Sequence, residues 1–353
     1  MKAARYAIIA VLVLAASLGG WLYVLLYVPV GGGRQTIRFT VEEGAGTRDV
    51  AAALKAHGLI RSASAFRLAA AWGDGWRRAI AGDYALRRDI NTVEILRTIQ
   101  SGSVISEWVT VPEGLCLRQV AELVEAKGLG SQDEFLSVVD SPGDFNITFP
   151  RPERGLEGYL FPDTYKVARH PGASGDLVGM MLARFDEVVW QDVLKGRHPA
   201  EVGRGNPGSA ADSPISSLHE LITLASMVEG EAKLDADRPI VAAVLTNRLK
   251  LDMKLECDAT VQYALGAGRK ERLTYDDLKL PSPYNTYLHP GLPPGPINSP
   301  GRASIEAALH PAVVPYLFYV ARPDGSHIFS RTYAEHLRAI ARARAERRAQ
   351  ESQ

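Results

Sequence analysis

The longest apolar stretch opens the chain. From Tyr6 to Val30 the sequence YAIIAVLVLAASLGGWLYVLLYVPV carries no charge, which is long enough for a helix to cross a hydrocarbon core. Trp21, Tyr23 and Tyr27 suit the interfacial end of such a span. A cleaved signal peptide has a shorter apolar region with small residues at its cut. Here the run continues past Ala15–Ala16 to Pro29, so an uncleaved anchor is expected. Lys2 and Arg5 favour a cytoplasmic N-terminus, with the bulk of the chain outside, although Arg34 and Arg38 soon follow. Gly31–Gly33 provide a flexible break.

Beyond the break the pattern repeats at an offset of 70. Residues 41–60 read VEEGAGTRDVAAALKAHGLI and residues 111–130 read VPEGLCLRQVAELVEAKGLG. Each copy predicts a strand (IRFTV, SEWVTV), a glycine turn and an amphipathic helix stopped by Gly58 or Gly128. GDYAL, residues 82–86, reads as a further short strand. The duplication is either purely structural or a module that positions carbohydrate.

From Pro150 the periodicity turns helical, at Asp176–Leu194, again from Leu218, and over Ile240–Leu249 with Asp235 or Asp237 as cap and Pro239 early. The stretch SPYNTYLHPGLPPGPINSPG, residues 282–301, predicts a rigid, non-repetitive loop. The tail Leu337–Gln353 carries five arginines among alanines and reads as a frayed, solvated helix.

One place breaks the pattern. LASMVEGEA, residues 224–232, puts Glu229 and Glu231 into an apolar helix. On a helical wheel Leu218, Leu221, Ile222, Ala225 and Val228 share a face with Glu229 at its edge, and Glu231 points away. Glu229 is therefore expected to be the desolvated carboxylate, the one suited to a general acid. Gly230 is expected to leave open space beside it, while weakening the helix by about 1 kcal/mol relative to Ala. The competing expectation is a buried Glu229 paired with Arg238 or Arg248.

Composition narrows the chemistry. Lys+Arg and Asp+Glu both total 40, so no global field attracts nucleic acid. Cys116 and Cys257 form neither a disulfide framework nor a metal spacing, and the eight histidines are scattered. HELIT, from His219, lacks the second histidine of a zinc-protease helix, and no GxSxG elbow occurs. The glycine pattern at Gly203–Gly208 contains Pro207 and follows no strand. No metal and no cofactor is expected.

LASMVEGEA, NRL, DATVQYAL, PYNTYLHPGLPPGPI, AALHP and YLFYVARPDGSHIFSRTYAEH, with LEGYLFPDTY upstream, together resemble the MltG/YceG-like endolytic murein transglycosylases over nearly the whole chain. The loop 196–214 departs from that pattern as an insertion. The resemblance implies a bacterial inner-membrane lyase that cuts nascent peptidoglycan strands to 1,6-anhydro-muramoyl ends and limits their elongation. It implies LysM-like parts before the catalytic domain and peptidoglycan synthases as partners. The first Glu of the family's motif falls on Glu229, here acid and base in turn. Asn285, Thr260, Gln262 and Tyr284 are expected to orient the sugars, with Glu157 as a supporting carboxylate or a structural ion pair.

The fold class expected is α+β: a cytoplasmic N-terminus (1–5), a transmembrane helix (6–30), a repeated LysM-like α/β region (34–149), a mixed α/β catalytic domain (150–336) and a basic tail (337–353). Two other classes of function compete. A muramidase would pair Glu229 with Glu157, Glu231 or Asp258, and a tethered glycan-binding scaffold would tolerate loss of Glu229.

Overall fold

The computed structural model describes residues 2–72, 80–140, 145–152, 155–201, 214–266, 270 and 272–351. Residues 202–213 of the loop 196–214, with the glycine pattern at Gly203–Gly208, lie outside them. The chain divides into two compact units, Met1–Trp108 with Lys166–Ala173, and Val109–Tyr165 with Ser174–Gln353.

The first unit opens with helix α1 (Lys2–Tyr27), of which Ala4–Tyr27 is long and apolar enough to cross a membrane. Strand β1 (Thr36–Val41) pairs antiparallel with β2 (Gly82–Arg87), placing Phe39 opposite Tyr84. Helices α2 (Thr47–Ala56), α3 (Ala63–Ala71) and α4 (Thr92–Gln100) bring Leu54, Phe66, Ile95 and Ile99 onto this ribbon. A two-stranded ribbon is marginal alone, and burial of these side chains sustains it. Ser62 caps α3, and Asn91 with Glu94 forms a capping box on α4.

The duplication read from the sequence is a strand–helix–helix–strand unit. The second copy runs β3 (Ser106–Thr110), α5 (Leu117–Ala126), α6 (Gln132–Asp140) and β4 (Thr164–Ala168), with β3 paired to β4. It ends further along the chain than sequence identity suggests. Tyr84 on β2 donates its hydroxyl to Ile80 O, and Tyr165 on β4 donates to Phe161 O, both at 2.5 Å. The same corner thus closes each copy across dissimilar text. The division between units passes through the second copy and not near residue 150.

In the second unit α7 (Ala173–Phe185) continues into wider π-helical winding over Asp186–Val193. Helix α8 (Leu218–Glu231) starts at a capping box of Ser217 and Glu220. Helix α9 (Arg238–Lys250) follows with Pro239 in its first turn, then α10 (Asp258–Leu265) and α11 (Arg302–Leu309). Strands β5 (Phe318–Ala321) and β6 (His327–Ser330) form a hairpin covered by α12 (Tyr333–Glu351). The tail is better held than expected. Ala339 and Ala343 are buried, and Arg322 and Arg342 both bond Glu346. Alanine's small side chain lets this otherwise charged helix lie close on the hairpin. The expected α+β class holds as a mixed α/β chain with short separate ribbons.

Candidate active site

Helix α8 is buried on every side. Leu218 and every residue from Leu221 to Val228 are inaccessible or nearly so. The single apolar stripe expected from the wheel is not present: both carboxylates at the C-terminal end of α8 enter packed surroundings. They do so on opposite sides, as expected.

Glu229 faces a cavity of about 360 Å³ within the second unit. Its side chain is 8% exposed and forms an ion pair with Arg238 Nη1 at 3.0 Å, itself 8% exposed. The same oxygen, Oε2, accepts from Ser304 Oγ at 2.8 Å and from Gly301 N at 3.1 Å. Gly301 and Ser304 lie at the N-terminal end of α11, where free N–H groups favour an anion. Arg238 also bonds Ser304 Oγ and, through Nε, Asp235 at 3.0 Å. The pairing with Arg238 weighed from the sequence is thus present, and it places Glu229 at a cavity wall. Arg248 instead holds the carbonyls of Lys254, Leu255 and Leu317.

Glu231 lies on the far side and lines no part of this cavity. It accepts from Cys257 Sγ at 3.0 Å and Ala259 N at 3.3 Å. Burial, with the nearby Asp258 charge, pushes its carboxyl above the ordinary range. Its contacts fix the start of α10, so it shapes the cavity from behind. Gly230 is a second correction. It leaves no open space, because a Cβ there would stand 2.7 Å from Ala259 Cβ. Glycine is needed for α8 and α10 to pack closely.

The cavity's other walls are the turn before α5, one face of α10, and Ile297–Asn298. The turn belongs to the second repeat. Gly114, at φ +79, donates its N–H to Ser299 O, and Ser299 N donates to Leu115 O, both at 2.9 Å. These bonds bring Glu113 into the cavity. In the first repeat Gly44, at φ +74, has open space around it. Glu113 went unassigned in the sequence because the repeat made Glu43 and Glu113 look equivalent; the bonds to Ser299 distinguish them. Asn298 donates Nδ2 to Ser226 O at 2.9 Å, and its buried Oδ1 has no partner among the described residues.

The expected sugar-orienting residues divide. Gln262 lines the cavity, while its amide also bonds Lys270 O at 2.8 Å and Lys270 N at 2.9 Å. Tyr284 packs its ring 4.9 Å from Tyr263, which lines the cavity; Tyr284 itself does not. Thr260 is buried, its hydroxyl donating to Cys257 O at 2.7 Å and pairing with Thr286 Oγ1. Asn285 is fully buried, with Nδ2 on the carbonyls of Leu278 and Leu280 and Oδ1 on Tyr287 N. Both brace the loop framework and stand away from the cavity lining, because turn backbone groups claimed their polar atoms first. Glu157 also stands behind the wall. It accepts from Leu117 N at 3.1 Å at the start of α5 and from the Tyr263 hydroxyl. Burial pushes its carboxyl up to about 7. Asp258, on α10, accepts from Tyr287 at 2.6 Å.

The YceG-like family is matched over residues 39–342. The chain is similar to an endolytic murein transglycosylase of Bacillus subtilis, 32% identical over 320 residues, which cover 87% of this chain and 84% of that protein. A protein of the same name from Streptococcus pneumoniae is 28% identical over 356 residues; the match takes in 91% of this chain but 61% of that longer relative. Among solved structures, a yceG-like protein from Listeria monocytogenes aligns with TM-score 0.54 and 30% identity, covering 87% of this chain and 99% of that one.

Proposed function

The chain belongs to the YceG-like family, and on that premise we propose that it is an endolytic lytic transglycosylase of peptidoglycan with Glu229 as its central carboxylate. The observation that carries the assignment is Glu229 at a cavity wall, its Oε2 held by Arg238, Ser304 and Gly301. Three donors on one oxygen lock the carboxyl's orientation and leave the other, Oε1, for substrate.

The chemistry suits such a site. The glycosidic oxygen must gain a proton as its bond to the muramoyl C1 breaks. The muramoyl O6 must lose one as it attacks C1 and closes the 1,6-anhydro ring. In its simplest form one carboxyl performs both transfers in turn. The attacking oxygen is tethered to the reacting sugar, and well-oriented intramolecular reactions reach effective molarities of roughly 10⁵–10⁸ M. No water molecule enters the bond-breaking step.

Products therefore test the proposal. Strands cut by the soluble part, residues 34–353, in heavy-oxygen water are expected to end in unlabelled 1,6-anhydro-muramoyl groups by mass spectrometry. Glu113 in the same cavity supports a hydrolase as the second reading, since two carboxyls are what that reaction uses. Labelled reducing ends would establish the hydrolase. Release of terminal disaccharides alone would remove the endolytic part.

The remaining assignments follow the same premise. Helix α1 anchors the chain in the inner membrane with the cavity outside the cytoplasm, near the synthases that produce nascent strands. The two strand–helix–helix–strand units serve as LysM-like supports for the glycan, and the second also completes the cavity through its turn. The protein is expected to fractionate with the membrane, and deletion of residues 1–30 to release a folded remainder. A mature chain beginning near residue 20–30 by N-terminal sequencing would mean a cleaved signal instead.

A further inference from the structure

Glu113 has no part in the simplest form of the reaction, yet the fold takes care to place it. Gly114 N and Ser299 O, then Ser299 N and Leu115 O, clamp its turn onto the chain just before Gly301. Its carboxyl lies so close over Gly301 that a Cβ on that residue would come within 2.0 Å of it. The amide of Gly301 points the other way, into Glu229 Oε2 at 3.1 Å. The two carboxyls thus flank one glycine and line one cavity.

Their surroundings differ. Glu229 accepts from an arginine, a hydroxyl and a backbone amide on one oxygen, Oε2. Glu113 makes no hydrogen bond or ion pair among the described residues. Partial desolvation against Gly301 and then the Glu229 charge raise its carboxyl above the ordinary range, with a smaller contribution from Asp235; Arg238 opposes them. Arg118 and Glu122 on α5 complete the charges on its own side of the cavity. Two carboxyls in such unlike hydrogen-bonding surroundings, flanking one cavity, are suited to different parts in a proton transfer.

We propose that Glu113 is a second catalytic residue, the proton donor to the departing sugar oxygen, while Glu229 is the base. This rests on the lytic transglycosylase reading above. The Glu113 carboxyl gives its proton to the glycosidic oxygen as the C1–O bond breaks, and that bond's electron pair stays on the oxygen as the new hydroxyl. O6 bonds to C1, and its proton passes to Glu229 Oε1. The cut leaves Glu113 ionised and Glu229 protonated. The proton returns to Glu113 through solvent in the cavity, and the strand is shortened with no net change in the enzyme.

The test is kcat and KM on glycan strands against pH for the wild-type protein, E113Q and E113D. E113Q keeps the side chain's size over Gly301 and removes only the proton it donates. Its kcat is expected to fall by about 10²–10⁴-fold with KM little changed. The alkaline limb of the wild-type kcat profile, which reports loss of the acid's proton, is expected to vanish. E113D, with the carboxyl restored one methylene back, should recover part of the rate and the limb. The proposal is overturned if E113Q stays within about threefold of wild type, if its profile keeps the alkaline limb, or if the loss falls on KM. None of these outcomes depends on which ends are formed, so failure of the lytic reading would appear separately, in wild-type products.

Discussion

Glu229→Gln is expected to lower strand cleavage by about 10²–10⁴-fold, the usual cost of losing an acid–base group, or more if one carboxyl serves both transfers. Glutamine can still accept from Ser304 and Gly301, so the local geometry is largely kept. What it cannot do is balance Arg238. Breaking a buried ion pair by removing one partner costs on the order of 3–5 kcal/mol. Asp235 remains on Arg238 Nε at 3.0 Å, so the cost here should fall below that range. The variant should therefore melt earlier yet remain folded at the assay temperature. Glu231→Gln leaves the cavity lining unchanged and disturbs the bonds to Cys257 and Ala259. It should lower stability more than rate. Rates and melting curves of both variants check this, and a folded Glu231→Gln with the lower kcat would sink the assignment of Glu229.

Gly158→Ala is expected to destabilise the second unit by about 2–6 kcal/mol, summing left-handed strain for a non-glycine residue and overpacking. Gly158 sits at φ +83, and a Cβ there would lie 2.5 Å from Pro296 Cβ and 2.9 Å from Ile222 Cγ2. Both obstacles belong to the site's frame: Ile222 to the centre of α8, Pro296 to the loop that reaches Ser226. Neither can retreat without moving the cavity wall. Denaturant midpoints of the soluble part measure the loss. A shift below about 0.5 kcal/mol would mean that the loop yields easily, and that the glycine is not what joins LEGY to α8.

Local order was legible from periodicity and punctuation. The apolar run up to Val30, the repeat at an offset of 70, the glycine turns at Gly44 and Gly114, and Pro239 in the first turn of α9 all follow from short-range sterics and backbone hydrogen bonding. So does the placement of Glu229 and Glu231 on opposite sides of their helix. These features depend on residues within a turn or two of one another, and such residues are neighbours in any fold the chain adopts.

The partners of the polar groups were decided by tertiary structure. The helical wheel assumed one solvent-facing side for α8, but α9, α10 and α11 pack around it, so Glu231 is buried as well as Glu229. Asn285 and Thr260 look like sugar ligands in a loop-rich sequence, yet backbone groups nearby take up their hydrogen-bonding capacity. Glu113 looks like a repeat residue, identical in kind to Glu43. What separates them is the bonding of the second turn to Ser299, nearly two hundred positions along the chain. Sequence alone determined which residues are able to carry a proton or a sugar; long-range packing determined which of them share a cavity, because burial and pairing depend on elements that are distant in the chain and adjacent only once it is folded.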